Sequence, residues 1–265
     1  MRSPSVIYLI TRTHGRRTHL LTSENLKRIL RAKHSQEKIE EENLIPLGRE
    51  HTILNFPALV KVENVEEAVA LLRETAYAAI SGRLDDYRRV GLPVVLESYL
   101  DDVYFTRLWE TLKDLPDSNG LRWLVGEEVD LHNLQLVLSL KMRDLGSRLI
   151  EEIIIPVFYR LSKSTLRDLI QSGLDGAPEA LAGTSYDDVA EQLLKSKEPS
   201  IDLEITLSRR LYQDASFALN QLFLELGYVV AYMLLCEREA RDLVTIATAL
   251  DLGISEEALQ RRLLL

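Results

Sequence analysis

This chain contains itself more than once. Asn25-Leu26, Asn133-Leu134 and Asp242-Leu243 each open one pattern, a small polar residue followed by Leu and by apolar positions at helical spacing. In the first copy these are Leu26, Ile29 and Leu30, ending in Lys33. In the second they are Leu134, Val137 and Leu138, ending in Lys141. In the third they are Leu243, Ile246, Ala247 and Leu250. The copies stand 108 and 109 residues apart. Other landmarks keep the step. Leu72 to Tyr77, carrying Thr75, returns as Leu181 to Tyr186, carrying Thr184, after 109 residues. Ile45-Pro46 returns as Ile155-Pro156 after 110, and Leu96-Glu97 with Leu100 as Leu203-Glu204 with Leu207 after 107. One period shared by unrelated short motifs points to repeated units.

The units read as helical. Gly and Pro are sparse, at 12 and 8, which favours long helices over strands and turns. Asn64 with Glu67 forms a capping-box pattern before Val65, Ala68, Val69 and Leu72. Pro93 suits the first turn of a helix carrying Val94, Glu97, Leu100 and Tyr104. Gly253 suits the end of a helix beginning near Glu239, and Ser255 the start of the last one. Ile201, Leu203, Ile205 and Leu207 alternate like a strand, but Leu203, Leu207 and Leu211 also keep helical spacing. Their repeat partner, residues 93–105, is helical, so this segment is assigned to a helix. The expectation is an all-α body of about seven to ten helices, one continuous structure built from repeats. Residues 1–50 read as an incomplete first unit, 51–158 as a second and 159–265 as a third.

Composition narrows the function. The chain has 265 residues, 46% of them hydrophobic, enough for a sizeable core. Its net charge of −9 speaks against a phosphate-backbone binder. The single cysteine, Cys236, excludes an intramolecular disulfide and a cysteine metal cluster. The apolar run Val6 to Ile10 is too short for a secretory signal. The longest apolar stretch, Phe217 to Cys236, is interrupted by Asn220, Gln221 and Glu225, so it reads as a buried core helix rather than a membrane span. The chain reads as soluble and intracellular.

Catalytic signatures are missing from the pattern. No two of the five histidines are four residues apart, as a helical metal site requires. There is no phosphate-binding glycine loop and no nucleophile elbow. Asp85-Asp86, Asp101-Asp102 and Glu40-Glu41-Glu42 are adjacent carboxylates, which point to different sides of a helix. Glu97 and Glu204, and the Thr75–Tyr77 and Thr184–Tyr186 pairs, recur among apolar neighbours. They read as polar contacts where helices meet, because buried polar groups find partners. No cofactor and no metal is expected. Arg12, Arg16 and Arg17, in a basic run with His14 and His19, and Arg209 and Arg210 are candidate contacts for an acidic partner surface.

Asp130 to Gln135, running on to Lys141, and the stretch Glu152 to Pro156 resemble the C subunit of archaeal A-type ATP synthases, called the d subunit in eukaryotic V-type ATPases. Gly227 to Leu265 is similar as well, through Tyr228, Tyr232, Glu237, Glu239 and Asp242-Leu243. Leu-x-x-Thr-x-Tyr at Leu72–Tyr77 and Leu181–Tyr186 is a further habit of that family. The resemblance covers roughly residues 20 to 265. It implies three similar helical units around a pseudo-threefold axis, forming a funnel, of which this chain has about two and a half. It also implies a central-stalk subunit with no catalytic residue. Such a socket links the rotor shaft to the membrane proteolipid ring and sits peripherally on the inner face of the cell membrane, with no transmembrane segment and no nucleic acid.

Two other readings use the same residues. A helical-repeat scaffold for a soluble partner fits poorly, because solenoid repeats are about 20–50 residues long. An enzyme with a helical active site would draw on Glu97, Glu204, Tyr77 and Tyr186.

Overall fold

The computed structural model describes residues 19–47, 54–115, 118–196, 198–223 and 225–263. Among them there are thirteen α-helices and no strand. That exceeds the expected number because several segments break into short pieces at turns. The described residues fall into two compact units, one ending at Leu108 and one starting at Trp109.

The first unit holds α1 (His19–His34), α2 (Phe56–Lys61), α3 (Val65–Ala70), α4 (Leu84–Val90) and the start of α5 (Val94–Lys113). Arg31, Lys33 and His34 fill the last turn of α1, where the helix dipole favours cations. Asn55 caps α2 by accepting from the Ala58 N–H. Asn64 accepts from the Glu67 N–H while the Glu67 carboxylate accepts from the Glu63 N–H, so α3 begins where the capping pattern indicated. Gly91, at φ +70°, closes α4 in a left-handed conformation that glycine adopts without strain. The core joins Leu26, Ile29 and Leu30 of α1 to Leu59, Val65, Val69, Ile80, Leu96 and Leu100.

The second unit holds α6 (Asn119–Lys141), α7 (Ser147–Ile153), α8 (Lys163–Gln171), α9 (Ala177–Leu181), α10 (Asp187–Lys195), α11 (Pro199–Gln221), α12 (Leu226–Asp251) and α13 (Glu256–Arg262). Helices α6, α11 and α12 pack against one another. Glycine allows the closest approach: a Cβ on Gly227 would lie 3.1 Å from the Gly120 carbonyl carbon and 2.6 Å from Leu222 Cδ1. α6 is buried nearly all round, from Leu121 and Leu124 to Leu138 and Leu140. The ambiguous segment 201–207 is helical, inside α11.

Two expectations are corrected. Phe217 to Cys236 is not one buried core helix. It breaks between Gln221 and Leu226, and Phe217, Phe223, Leu226 and Tyr232 are exposed. Its apolar residues run all round the chain, so one neighbouring helix cannot cover them. Gly253, at φ +64°, does follow a helix end, but that helix begins at Leu226 rather than near Glu239. No described helix is long and apolar enough to cross a membrane.

Candidate interaction surface and buried polar centres

The recurring motif residues make recurring bonds to backbone. Asn25 Nδ2 donates to the Ile45 carbonyl at 2.9 Å, and its Oδ1 accepts from the Ile45 N–H at 2.8 Å. Asn133 does the same to Ile155, at 3.0 and 2.9 Å. A primary amide offers one donor and one acceptor side by side, so it satisfies both polar groups of one peptide residue. Lys33 at the end of the first motif donates to the Val60 carbonyl at 2.7 Å, and Lys141 to the Ile170 carbonyl at 2.8 Å. Thr75 Oγ1 donates to the Leu72 carbonyl at 2.7 Å and accepts from the Tyr77 N–H at 3.1 Å. Thr184 repeats both distances with Leu181 and Tyr186. Tyr77 and Tyr186 are therefore set by the same turn, and both are buried.

The first unit also carries a buried charge centre. Lys27 is 2% exposed and pairs with Glu24 at 3.0 Å and with Asp101. Burial works against its ammonium, but Asp101 and Glu24 outweigh it and hold its pKa above the usual lysine value. One turn on, Arg31 grips Glu97 with two parallel bonds, Nε to Oε1 at 2.6 Å and Nη2 to Oε2 at 2.5 Å.

A different centre sits in the second unit. Glu127, Asp130 and Tyr186 have no exposed surface. Asp130 accepts from three consecutive backbone N–H groups, Tyr159 at 3.2 Å, Arg160 at 2.6 Å and Leu161 at 2.8 Å. The Tyr186 hydroxyl lies 2.8 Å from Glu127 Oε2 and 3.1 Å from Asp130 Oδ2. Arg160 reaches Glu127 Oε1 at 2.8 Å from a half-exposed position. Burial pushes both carboxyls above the usual carboxylate range, and pushes the Tyr186 phenol up as well. These groups fasten the segment 155–161 to α6 and α10.

The outward surface is apolar along α12. Val229, Cys236, Leu243 and Leu250 stand seven residues apart and are exposed, with Tyr232 beside them. At 1.5 Å per residue this line is about 30 Å long. The contrast with the other copies is sharp: Leu26 is 1% exposed, Leu134 0% and Leu243 61%. Exposed apolar residues repeated along one side of a helix make that side a candidate interaction surface.

The candidate residues divide accordingly. Asn25, Asn133, Thr75 and Thr184 hold backbone, and Asp242 is buried on α12. Glu97 is paired with Arg31, whereas Glu204 is exposed, so the two recurring glutamates do different things. Arg209 donates to the carbonyls of Arg261 and Leu263 at the end of α13. Arg210 pairs with Asp188 at 3.1 Å and lies over the Tyr186 ring. Both arginines are thus engaged within the chain. Arg12, Arg16 and Arg17 lie outside the described residues. Sequence reasoning did not pick out Lys27, Glu127 or Arg160, and it named Asp130 as part of a motif without giving it a role. Glu127 and Asp130 share a helix face with Asn133 at three-residue steps, and that polar line through an apolar helix was the available signal.

Comparison with known proteins follows the same ground. The model of the ATP synthase (C/AC39) subunit family matches residues 18–262. The C subunit of the A-type ATP synthase of Methanobrevibacter smithii is 29% identical over 234 residues, 85% of this chain and 60% of that protein. Its counterpart in Methanothermobacter thermautotrophicus is 27% identical over 84% of this chain and 60% of its own length. The one in Pyrococcus abyssi is 25% identical over 89% of this chain and 64% of its own length. The chain therefore spans about 60% of the length of these curated relatives.

Proposed function

The chain belongs to the ATP synthase (C/AC39) subunit family, and on that basis we propose that it is a non-catalytic central-stalk coupling subunit of a rotary A/V-type ATPase. The match over residues 18–262 carries this reading. In it, the helical units 1–50, 51–158 and 159–265 take part in a pseudo-threefold, funnel-like socket. The socket receives the rotor shaft on one side and rests on the proteolipid ring on the other, peripheral to the inner face of the cell membrane. Its work is to carry torque between nucleotide chemistry and ion movement.

Two physical features support the proposal. A torque element must not bend, and close-packed helices crossing at glycines are barely compressible. A protein that works inside a larger assembly keeps apolar surface for its neighbours, and the exposed line on α12 is such a surface. Arg12, Arg16 and Arg17 are proposed to meet acidic partner surfaces; Arg209 and Arg210 offer less, being engaged within the chain.

The test is co-purification from gently solubilised membranes of the native host, with the chain tagged at its C-terminus. Shaft, catalytic and proteolipid subunits in fixed ratio are the expected result. Recovery with an unrelated soluble partner, and none of those subunits, overturns the proposal in favour of a free-standing helical scaffold.

A further inference from the structure

The Glu127–Tyr186–Asp130 centre holds one hydrogen too few for its contacts. A tyrosine hydroxyl has a single proton, and here its oxygen faces two carboxylate oxygens, at 2.8 and 3.1 Å. If both carboxyls are ionised, Tyr186 can donate to only one of them, and its oxygen faces the other carboxylate oxygen with no proton between them. Adding one proton completes the chain: a protonated carboxyl donates to the Tyr186 oxygen, and the Tyr186 hydroxyl donates to the other carboxylate. Asp130 is the better anion, because three backbone N–H groups already point at it. Glu127 lacks such donors. Its Oε1 is buried and, although 2.8 Å from Arg160, makes no well-aligned hydrogen bond.

We propose that Glu127 is protonated in the folded chain, donating to the Tyr186 hydroxyl, and that this buried proton makes the second unit a pH-sensitive latch on the segment 155–161.

The surrounding charges agree. From α6 come Glu127 and Asp130 themselves. From the fastened segment comes Arg160, whose side chain is 43% exposed. From α11 come Asp214, with one buried oxygen lacking a partner, and Arg210, which is shared with Asp188. On α12 the buried charged residues are Arg238 and Asp242, and the groups that act on Arg238 are Arg241, Glu237, Glu128 and Glu204. The charged residues of α8, Lys163, Arg167 and Asp168, are all exposed. Fully ionised, Glu127, Asp130 and Asp214 would face Arg160 and a shared Arg210, an excess of buried negative charge that one proton relieves. Burial, first, and then the charge of Asp214 raise the Glu127 carboxyl, in line with this count.

The sign of the pH effect follows from linkage. Below the ordinary glutamate pKa of about 4.3 the proton is bound in both folded and unfolded chains. Above it, the unfolded chain releases the proton to water while the folded chain keeps it. Stability then falls as pH rises, until the folded carboxyl also ionises. Within that window each pH unit lowers the folding constant about tenfold for one retained proton.

The experiment uses the full chain with ¹³C-carboxyl glutamate in one sample and ¹³C-carboxyl aspartate in another. At neutral pH, infrared difference spectra between wild type and Glu127→Gln should show a protonated acid carbonyl in the glutamate-labelled sample. The amide of Glu127→Gln imitates the protonated carboxyl, donating to Tyr186 while its oxygen faces Arg160. Its folding constant should therefore lack the wild type's extra tenfold fall per pH unit. An acid carbonyl from aspartate, no acid carbonyl at all, or equal slopes overturns the proposal. If Glu127→Gln fails to fold, the acid carbonyl of the glutamate-labelled wild type, present or absent, decides alone.

Discussion

Asn133→Ala tests whether the recurring amide clamp holds the second unit together. The side chain makes two buried bonds to one residue, to the Ile155 carbonyl at 3.0 Å and from the Ile155 N–H at 2.9 Å. Removing the amide orphans both backbone groups. Each buried orphan costs about 1–3 kcal/mol, so the variant should lose about 2–6 kcal/mol. That is a large share of the roughly 5–15 kcal/mol that a folded domain has. For a chain of this size it corresponds to a fall in melting temperature of about 4–24 °C. Asn25 is equally buried, but its partner Ile45 is only partly so, which lets water reach the lost bonds, and Asn25→Ala should cost about 1–2 kcal/mol. Urea unfolding followed by far-ultraviolet circular dichroism measures both, with a shifted midpoint at constant slope. A loss under about 0.5 kcal/mol for Asn133→Ala, or a larger loss for Asn25→Ala, would refute the reasoning.

Lys27→Met should cost about 3–5 kcal/mol in urea unfolding at neutral pH, because Glu24 and Asp101 are left buried without their ammonium. That loss should shrink in acid, since buried carboxyls that have lost an ammonium take up protons more readily in the folded chain than in the unfolded one. Gly227→Ala should cost about 1–3 kcal/mol by the same measurement, because the new methyl meets the Gly120 backbone at 3.1 Å as well as the Leu222 side chain at 2.6 Å, and the backbone cannot move aside. Leu134→Ala should cost about 2–5 kcal/mol, whereas Leu243→Ala, 61% exposed at the matching position, should cost under about 0.5 kcal/mol in the isolated chain and weaken co-purification with rotary partners.

What could be read in the sequence was whatever depends on one residue and its local neighbours. Asn64, Pro93 and Ser255 mark helix starts at or beside the observed ones, and Leu203, Leu207 and Leu211 line the buried side of α11. The Thr-x-Tyr turns were visible as recurring strings. The break between α11 and α12 was not, because an apolar run states hydrophobicity without saying which side is covered. The role of Asp130 was hidden for another reason: its partners are the N–H groups of residues 159–161, which have no side-chain signature. Lys27 was legible in principle, as a cation inside the apolar run of α1, but its partner Asp101 lies 74 residues away.

The contacts that recur and those that do not obey one rule. Asn to Ile backbone, Lys to a distant carbonyl and Thr to its own turn are all present twice. Each needs one residue type at one position, since every residue but proline offers both backbone groups. Side-chain pairs need two residues at once, and the Lys27–Asp101 and Arg31–Glu97 ion pairs of the first copy do not recur in the second. Where it has Lys27 with Asp101, the second has Gln135 and Ser208; where it has Arg31 with Glu97, the second has Ser139 and Glu204. Glu204 is thus a repeated letter without its repeated partner, which is why it faces solvent. Leu243 on α12 shows the converse, a repeated letter whose cover is absent among the described residues, while Leu26 and Leu134 are enclosed. A repeat in sequence therefore locates backbone fastenings, and a difference in exposure between its copies locates the surface on which the assembly is proposed to close.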